Sequence, residues 1–314
     1  METKTNVYQI ITDTVINLID DGNIDSLPWI KPWKDGVNPQ NITGHVYTGI
    51  NHFLMVLACR KFDYNYPLFV TFKQAKEAGT FIKKGEKGHI ITFWRLMKFE
   101  KENEAGEKEV NTIPLLKCYT VFNLDQLNEI PKSAKKKIIE IDKLRVASVA
   151  VDPIESAENI ISGYTDKPEI KHSMDDTQAY YKLTSDEINM PDQKLFKDQP
   201  SYYKVLFHEL GHSTGHGKRL SRDMSGHKRT HAYSFEELIA EFTACFLSGV
   251  AGFDNGLSDN IENSAAYMKG WLQGLKDNPK WLVQASSKAQ KASDYIQGIE
   301  KVYENAETKK AVNQ

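Results

Sequence analysis

A chain of 314 residues with 40% hydrophobic and 26% charged side chains and a formal net charge of -2 has the composition of a globular protein, long enough for one large core or two ordinary ones. Cys59, Cys118 and Cys245 are odd in number and far apart, which excludes a disulfide framework and a C-x-x-C metal site and fits a reducing compartment. The N-terminal METKTNVYQIITDTVINLIDDGN sets acids inside its apolar pattern, which excludes a secretory signal or a membrane span there and points to a cytoplasmic protein with no membrane partner.

Val7, Ile10, Ile11, Val15, Leu18 and Ile19 recur at helical spacing until Asp20-Asp21-Gly22-Asn23 stops the run. Residues 29 to 51 are rich in turn formers and aromatics, and a helix is predicted over about 51 to 60. FIKKGEKGHIITFWRLMKF, from 81, alternates in β fashion around a Gly-Glu-Lys-Gly turn. KENEAGEKEVN then makes a polar hairpin tip before the strand IPLLKCYTVFNL. The proline and lysine run near 128–142 marks a boundary. Beyond it helical patterns dominate, apart from a hairpin or edge strand at AYYKLTSDEINM, 179–190, and long helices fill about 260 to 305. The expected fold is α+β in two domains. Residues 1–130 form a small α+β domain with a curved antiparallel sheet, 131–145 a linker, and 146–314 a mostly helical domain.

The halves differ in charge. From 60 to 98 there are nine lysines and arginines against three acids, a local net of +6, whereas 151–200 holds five basic and eleven acidic residues. Only the front part is suited to a polyanion.

VLFHELGHSTGHG, 205–217, holds the chemistry. Asp198-Gln199-Pro200-Ser201 starts a helix, and four-residue spacing puts His208 and His212 on one of its faces, aimed at one point. Glu209 stands one position round, within reach of a water beside an ion but not of the ion, which is the mechanical content of H-E-x-x-H. Gly211 and Gly215 leave room for a close backbone. A metzincin needs histidine at 218, where this chain has Lys218. His216 would have to swing back after the helix ends.

A third protein donor is needed to leave one position open. SFEELIAEFTACFLSG, 234–249, offers Glu237 and Glu241 on one helix face, and Glu-x-x-Ala-Glu resembles the gluzincin pattern Glu-x-x-Ser/Ala-Asp. By that match Glu237 binds the metal and Glu241 orients a ligand histidine. The alternative is a capping box from Ser234 to Glu237, which would make Glu241 the ligand. Cys245 reads as a small buried hydrophobe. Zn2+ is the expected cofactor, with another divalent metal such as Mn2+ as the substitute. Glu209 is the expected general base for a hydrolytic water, and His231 and Tyr233 are candidates to stabilise the oxyanion.

In the front part, lysines interleave with Phe62, Tyr64, Tyr66, Phe69, Phe72, Phe81, Phe93 and Trp94. Cations that track phosphates and rings that stack on bases are what a single-strand binder needs, although most such rings are expected to be core.

LPWIKPW (27–33), NITGHVYTGINHFLM (41–55), PLFVTFKQAKEAGTFIKKGEKG (67–88) and FNLDQ (122–126) resemble the N-terminal domain of the ArdC anti-restriction family. AYYKLTSDEINMP, YYKVLFHELGHSTGHGKRLSR, EELIAEFTACFL and the stretch 265–298 resemble that family's zincin-like metallopeptidase domain, so the resemblance covers nearly the whole chain. It implies a single-stranded-DNA-binding domain followed by a gluzincin-like domain, on a plasmid or other mobile element whose entering DNA is shielded from restriction. The family's histidine ligands and catalytic glutamate carry over to His208, His212 and Glu209, and its acidic ligand falls within EELIAE. Ser213 stands where the family often has an aromatic, which concerns the pocket rather than the metal. Cations and stacking faces in or beside these phrases make Lys31, Trp33, Lys73, Lys83, Lys84, Lys87 and Trp94 the candidate DNA contacts, without strong sequence preference. The protein substrate is unknown, and the alternative reading is a non-proteolytic coat for single-stranded DNA with a structural or regulatory metal domain.

Overall fold

The computed structural model describes residues 6–19, 37–102, 108–150, 153–173, 177–225, 231–253 and 274–300. In the N-terminal half, α1 (Val7–Ile19) and α2 (Gly49–Lys61) pack with a four-stranded sheet of β1 (Gln40–Asn41), β2 (Leu68–Thr71), β3 (His89–Glu102) and β4 (Lys108–Asn123), in the order β1-β2-β4-β3. β1 runs parallel to β2 and the other pairs are antiparallel, so the expected antiparallel sheet gains one parallel edge. Turn chemistry fixes its corners. Thr71 and Gln74 form a capping box that starts α3 (Phe72–Glu77), and Gly85 turns at φ +92 in the Gly-Glu-Lys-Gly stretch. In FNLDQ the fully buried Asn123 accepts from the Asp125 amide and donates to the Tyr66 carbonyl at 2.8 Å, so that phrase serves the fold.

β3 and β4 pair from His89↔Val121 to Glu102↔Lys108, whereas β2 covers only 121–123 of β4. The hairpin therefore runs on beyond the sheet as a two-stranded ribbon. Phe93 and Trp94, paired with Lys117 and Leu116, sit where it leaves.

The stretch 131–145, expected as a linker, lies almost wholly in α4 (Lys132–Ala150), and Ala134 and Ile141 are fully buried. The lysine run at 135–137 supplies its solvent side, and Pro131 precedes its first turn, where proline is tolerated. α5 (Pro153–Gly163) leads to a second sheet ordered β5-β7-β6, from β5 (Glu169–Ser173), β6 (Tyr180–Lys182) and β7 (Glu187–Pro191). β6 and β7 are the hairpin expected near 179–190. β5 is an addition that periodicity did not show, because its alternating side chains are mostly exposed. Then come α6 (Gln199–Ser213), α7 (His231–Ala251) and α8 (Trp281–Ile296). Part of the helical stretch expected over 260–305 lies outside the described residues. Among the described residues, no helix is long and apolar enough to cross a membrane.

The halves share a core. Leu238, Ile239, Phe242, Cys245 and Phe246 of α7 and Leu282, Val283, Ala285 and Ala289 of α8 join one cluster with Ile11, Phe53, Leu54, Phe69 and Val121. Across the contact, the Phe53 and Phe242 rings meet edge to face at 4.8 Å, and His52 meets Phe246 at 5.3 Å. Burial pulls the His52 pKa down to about 4, against a backbone hydrogen bond with Tyr47 that raises it. The opposite side of α7, through Ala244, Leu247 and Ala251, closes a second cluster with Tyr164, Ile188, Phe207 and Leu210.

Candidate metal centre and nucleic-acid interface

Asp198 caps α6 by accepting from the Ser201 amide at 2.8 Å, with Pro200 in the first turn, and the helix brings His208 and His212 into edge contact at 4.8 Å. α7 crosses at Gly211. A Cβ there would stand 3.1 Å from Ala240 Cα and from Thr243 Cβ, so glycine lets the helices approach closely enough for Glu237 to face both rings.

The imidazole Nε2 atoms of His208 and His212 lie 3.1 Å apart, and each is 3.4 Å from a Glu237 oxygen. Among the described residues this is the one group of histidine, cysteine and acid donors close enough to share an ion, all within 4.8 Å. The far side of each ring is held by another carboxylate. His208 Nδ1 is 3.2 Å from Glu241, and His212 Nδ1 is 3.5 Å from Glu236. Carboxylates there favour the proton on Nδ1, which turns both Nε2 lone pairs and the Glu237 carboxylate toward one point. With both Nε2 atoms unprotonated that arrangement repels itself and a cation makes it a ligand set; without a cation, protons on the rings bridge to Glu237 instead. Donors about 2.1 Å from a tetrahedral ion stand roughly 3.4 Å apart, the spacing found here, so the residues fit a divalent metal.

The titration behaviour has the same origin. Burial alone would lower the His212 pKa, but hydrogen bonds to Glu236 and Glu237 outweigh it and raise it to about 9; the same balance, with Glu237 and Glu241, holds His208 well above its ordinary value. Burial pushes the Glu237 carboxyl up, yet the two histidines pull it well below the usual range. Glu209 is only 7% exposed, and among the described residues its carboxylate has neither a hydrogen-bond nor an ion-pair partner.

The capping-box alternative for Glu237 does not arise, because α7 starts at His231 and Ser234 lies inside it. His216 stands apart, its Nδ1 accepting from the Lys218 amide at 3.1 Å, and Cys245 is buried in the shared core. The side chains of His231 and Tyr233 lie outside the described residues. Sequence reasoning passed over Glu236 and Arg222. Arg222 is bound to both oxygens of Glu236. The doublet Glu236-Glu237 was the available signal, since neighbouring helical positions can address the near and far sides of a ring pair.

On the N-terminal half, Lys31 and Trp33 lie outside the described residues. Lys73 is 84% exposed and pairs loosely with Glu77 at 3.7 Å. Lys83, Lys84 and Lys87 are exposed, and Lys83 Nζ donates to the Asp125 carbonyl. Trp94 is 56% exposed. Most of the eight aromatics were expected to be core, and the structure reverses this: Phe62, Phe72, Phe81, Phe93 and Trp94 are exposed, Tyr64 and Tyr66 half-buried, and Phe69 buried. Phe72 opens a short helix on its outer side, and Phe93 and Trp94 lie where the ribbon has left its covering strand. Tyr119, also exposed, meets Phe93 edge to face at 5.7 Å.

A helix with two histidines and an acid between them, crossed by a second helix carrying a third donor, is the framework of a zincin-like metallopeptidase. Residues 155–288 match that family, and residues 5–122 match the N-terminal domain of anti-restriction factor ArdC. The structure resembles the antirestriction ArdC protein from plasmid R388 in metal-free and Mn(II)-bound forms, at 34% and 33% identity and a TM-score of 0.70, over 94% of this chain and 97% and 98% of those. The chain belongs to the ArdC antirestriction family. It is also 30% identical to the Escherichia coli DNA primase TraC over 96% of its own length but only 20% of the primase, so it spans a fifth of that relative. An uncharacterised protein of Sinorhizobium fredii is 29% identical over 94% of this chain and 92% of its own.

Proposed function

We propose that this protein binds single-stranded DNA through residues 1–130 and, through residues 146–314, cleaves a protein that attacks or blocks DNA entering the cytoplasm with a mobile element. The observation that carries the peptidase reading is the convergence of His208, His212 and Glu237 beside Glu209, whose carboxylate has no hydrogen-bond or ion-pair partner among the described residues. We infer that these three hold a divalent ion, with zinc as the native metal; the Mn(II)-bound ArdC relative supports a divalent ion of this size. The ion would polarise a scissile carbonyl and make water more acidic. Glu209 takes a proton from the water that adds to the carbonyl carbon and returns it to the departing amine. Glu241 and Glu236 hold the two imidazoles by their far nitrogens.

Exposed rings and lysines on the same half of the chain support DNA binding, because stacking on bases and pairing with phosphates both need accessible groups. Joining the two gives tethering, which raises the concentration of peptidase near DNA-bound targets. Protection from restriction comes from the ArdC likeness.

Glu209→Gln tests the assignment. It should leave metal content and DNA affinity near wild type while lowering peptide cleavage by at least about 100-fold and abolishing protection in a DNA-transfer assay. Protection that survives this change would favour the DNA-coating alternative, in which the metal domain is structural.

A further inference from the structure

We propose that Arg222 is a positioning residue for the metal centre, setting through Glu236 how tightly His208, His212 and Glu237 hold a divalent cation; this rests on the metal-centre reading above. Arg222 sits in the turn that follows α6, which folds back through the bonds Leu220 N to Thr214 O and Arg222 N to Gly215 O at 2.9 and 3.0 Å. Ser221 takes a φ of +47 there, a conformation that costs a side-chain-bearing residue energy and that the surrounding bonds impose. The guanidinium ends up 5% exposed.

Four of its five donors are spent around His212. Nε and Nη2 grip the two oxygens of Glu236 at 3.0 and 2.5 Å, and Oε1 of that carboxylate faces His212 Nδ1. Nη2 also reaches the carbonyl of Gly211, directly before His212, at 2.8 Å, and Nη1 the hydroxyl of Thr214, two residues after it, at 2.6 Å. One planar group therefore fixes the carboxylate behind the ring, the backbone before it and the Thr214 side chain after it. The bidentate, forked geometry is one that arginine supplies and lysine does not.

The two histidines are thus supported differently. Glu241 behind His208 feels the charge of Lys204 only from beyond ion-pair distance, whereas Glu236 behind His212 is in direct bidentate contact with Arg222. Four acids, Glu209, Glu236, Glu237 and Glu241, surround two imidazoles. Without Arg222, Glu236 would be a buried, unbalanced carboxylate free to turn toward the cation or to release His212. With it, Glu237 is the acid presented to the metal.

The test uses the full chain and titrates Zn(II) and Mn(II) against a competing chelator, with thermal melting of the metal-free protein alongside. Wild type should bind one ion. Arg222→Ala should still bind one, but about 10–100-fold more weakly, the range typical of groups that support a metal ligand. Arg222→Lys should recover only part of the loss. Glu236→Gln should weaken binding on its own, and adding Arg222→Ala to it should weaken binding little further, because the arginine acts through that carboxylate. If Arg222→Ala fails to fold, the double variant, which carries no orphaned charge, takes its place and should match Glu236→Gln alone.

Parental affinity in Arg222→Ala with only a lowered melting temperature would overturn the proposal and leave Arg222 a plain structural residue. So would losses in the two single variants that multiply in the double. A wild-type chain that binds no stoichiometric ion would overturn the metal centre itself, a separate and distinguishable failure.

Discussion

At the candidate metal centre His208, His212 and Glu237 are enclosed between α6 and α7 and each is held by another side chain; on the N-terminal half, Phe72, Phe81, Trp94, Lys84 and Lys87 stand in solvent with few internal partners. The difference shows where specificity is stored. In the enclosed site it lies in angles and distances fixed before any ligand arrives, so losing one group disables the rest. On the open face, under the proposed DNA-binding function, it would lie in the sum of separate contacts, each small and several dependent on salt.

The sharpest attack on that contrast goes through the core that joins the two regions. Phe242→Ala should destabilise the chain by about 3–5 kcal/mol. Because α7 belongs to both clusters, calorimetry should show one cooperative transition, lowered as a whole. Two separate transitions, only one of them shifted, would mean that the halves are energetically independent.

Reversing the charges of Lys83, Lys84 and Lys87 should weaken single-strand binding and reduce the slope of log affinity against log salt by roughly 2, at about 0.7 per phosphate contact. An unchanged slope removes this turn from the interface. Replacing Phe81 or Trp94 by alanine should cost DNA binding about 1–3 kcal/mol per stacked base while leaving the melting temperature nearly unmoved, since both rings are exposed. A large drop in melting temperature would show that the open face is part of the fold after all.

The smallest expected effect concerns acid. Asp186 is gripped by Arg219 at 2.7 and 3.0 Å; burial opposes its ionisation, but the bonds from Arg219 and Tyr181 hold its pKa below the usual range. A carboxyl depressed in the folded state contributes stability above its unfolded value, near 3.9, and loses it as pH falls through the lower folded value. Asp186→Asn should therefore cost about 1 kcal/mol at neutral pH, a partly exposed pair being discounted for screening, with the difference from wild type closing below about pH 4. A difference that persists in acid would show that the side chain acts by shape rather than charge.

The spacing of His208 and His212, the helix start at Asp198 and the acids at 237 and 241 were legible because they follow from the 3.6-residue repeat alone. α1, α2, the β3–β4 hairpin and the β6–β7 hairpin were legible for the same local reasons. What escaped depends on contacts distant in sequence. Arg222 reaches Glu236 only through a reversal of the chain, and β5 pairs with β7 as a parallel neighbour that no hairpin signal announces. Exposure at Phe81 and Trp94 could not be foreseen, because a ring's sequence context does not say whether a second layer will cover it. The helix over 131–145 was missed because a lysine run resembles a solvated connector until the buried Ala134 and Ile141 show its inner side.

Because α7 presents apolar surface to both clusters, a cut anywhere near 130–150 would strip one flank of the helix that carries Glu237. An excised C-terminal fragment would expose Phe242 and Phe246 to water and should aggregate rather than act as a free-standing peptidase. In the TraC primase, a relative five times the size of this protein, the aligned region likewise spans both halves, 96% of this chain.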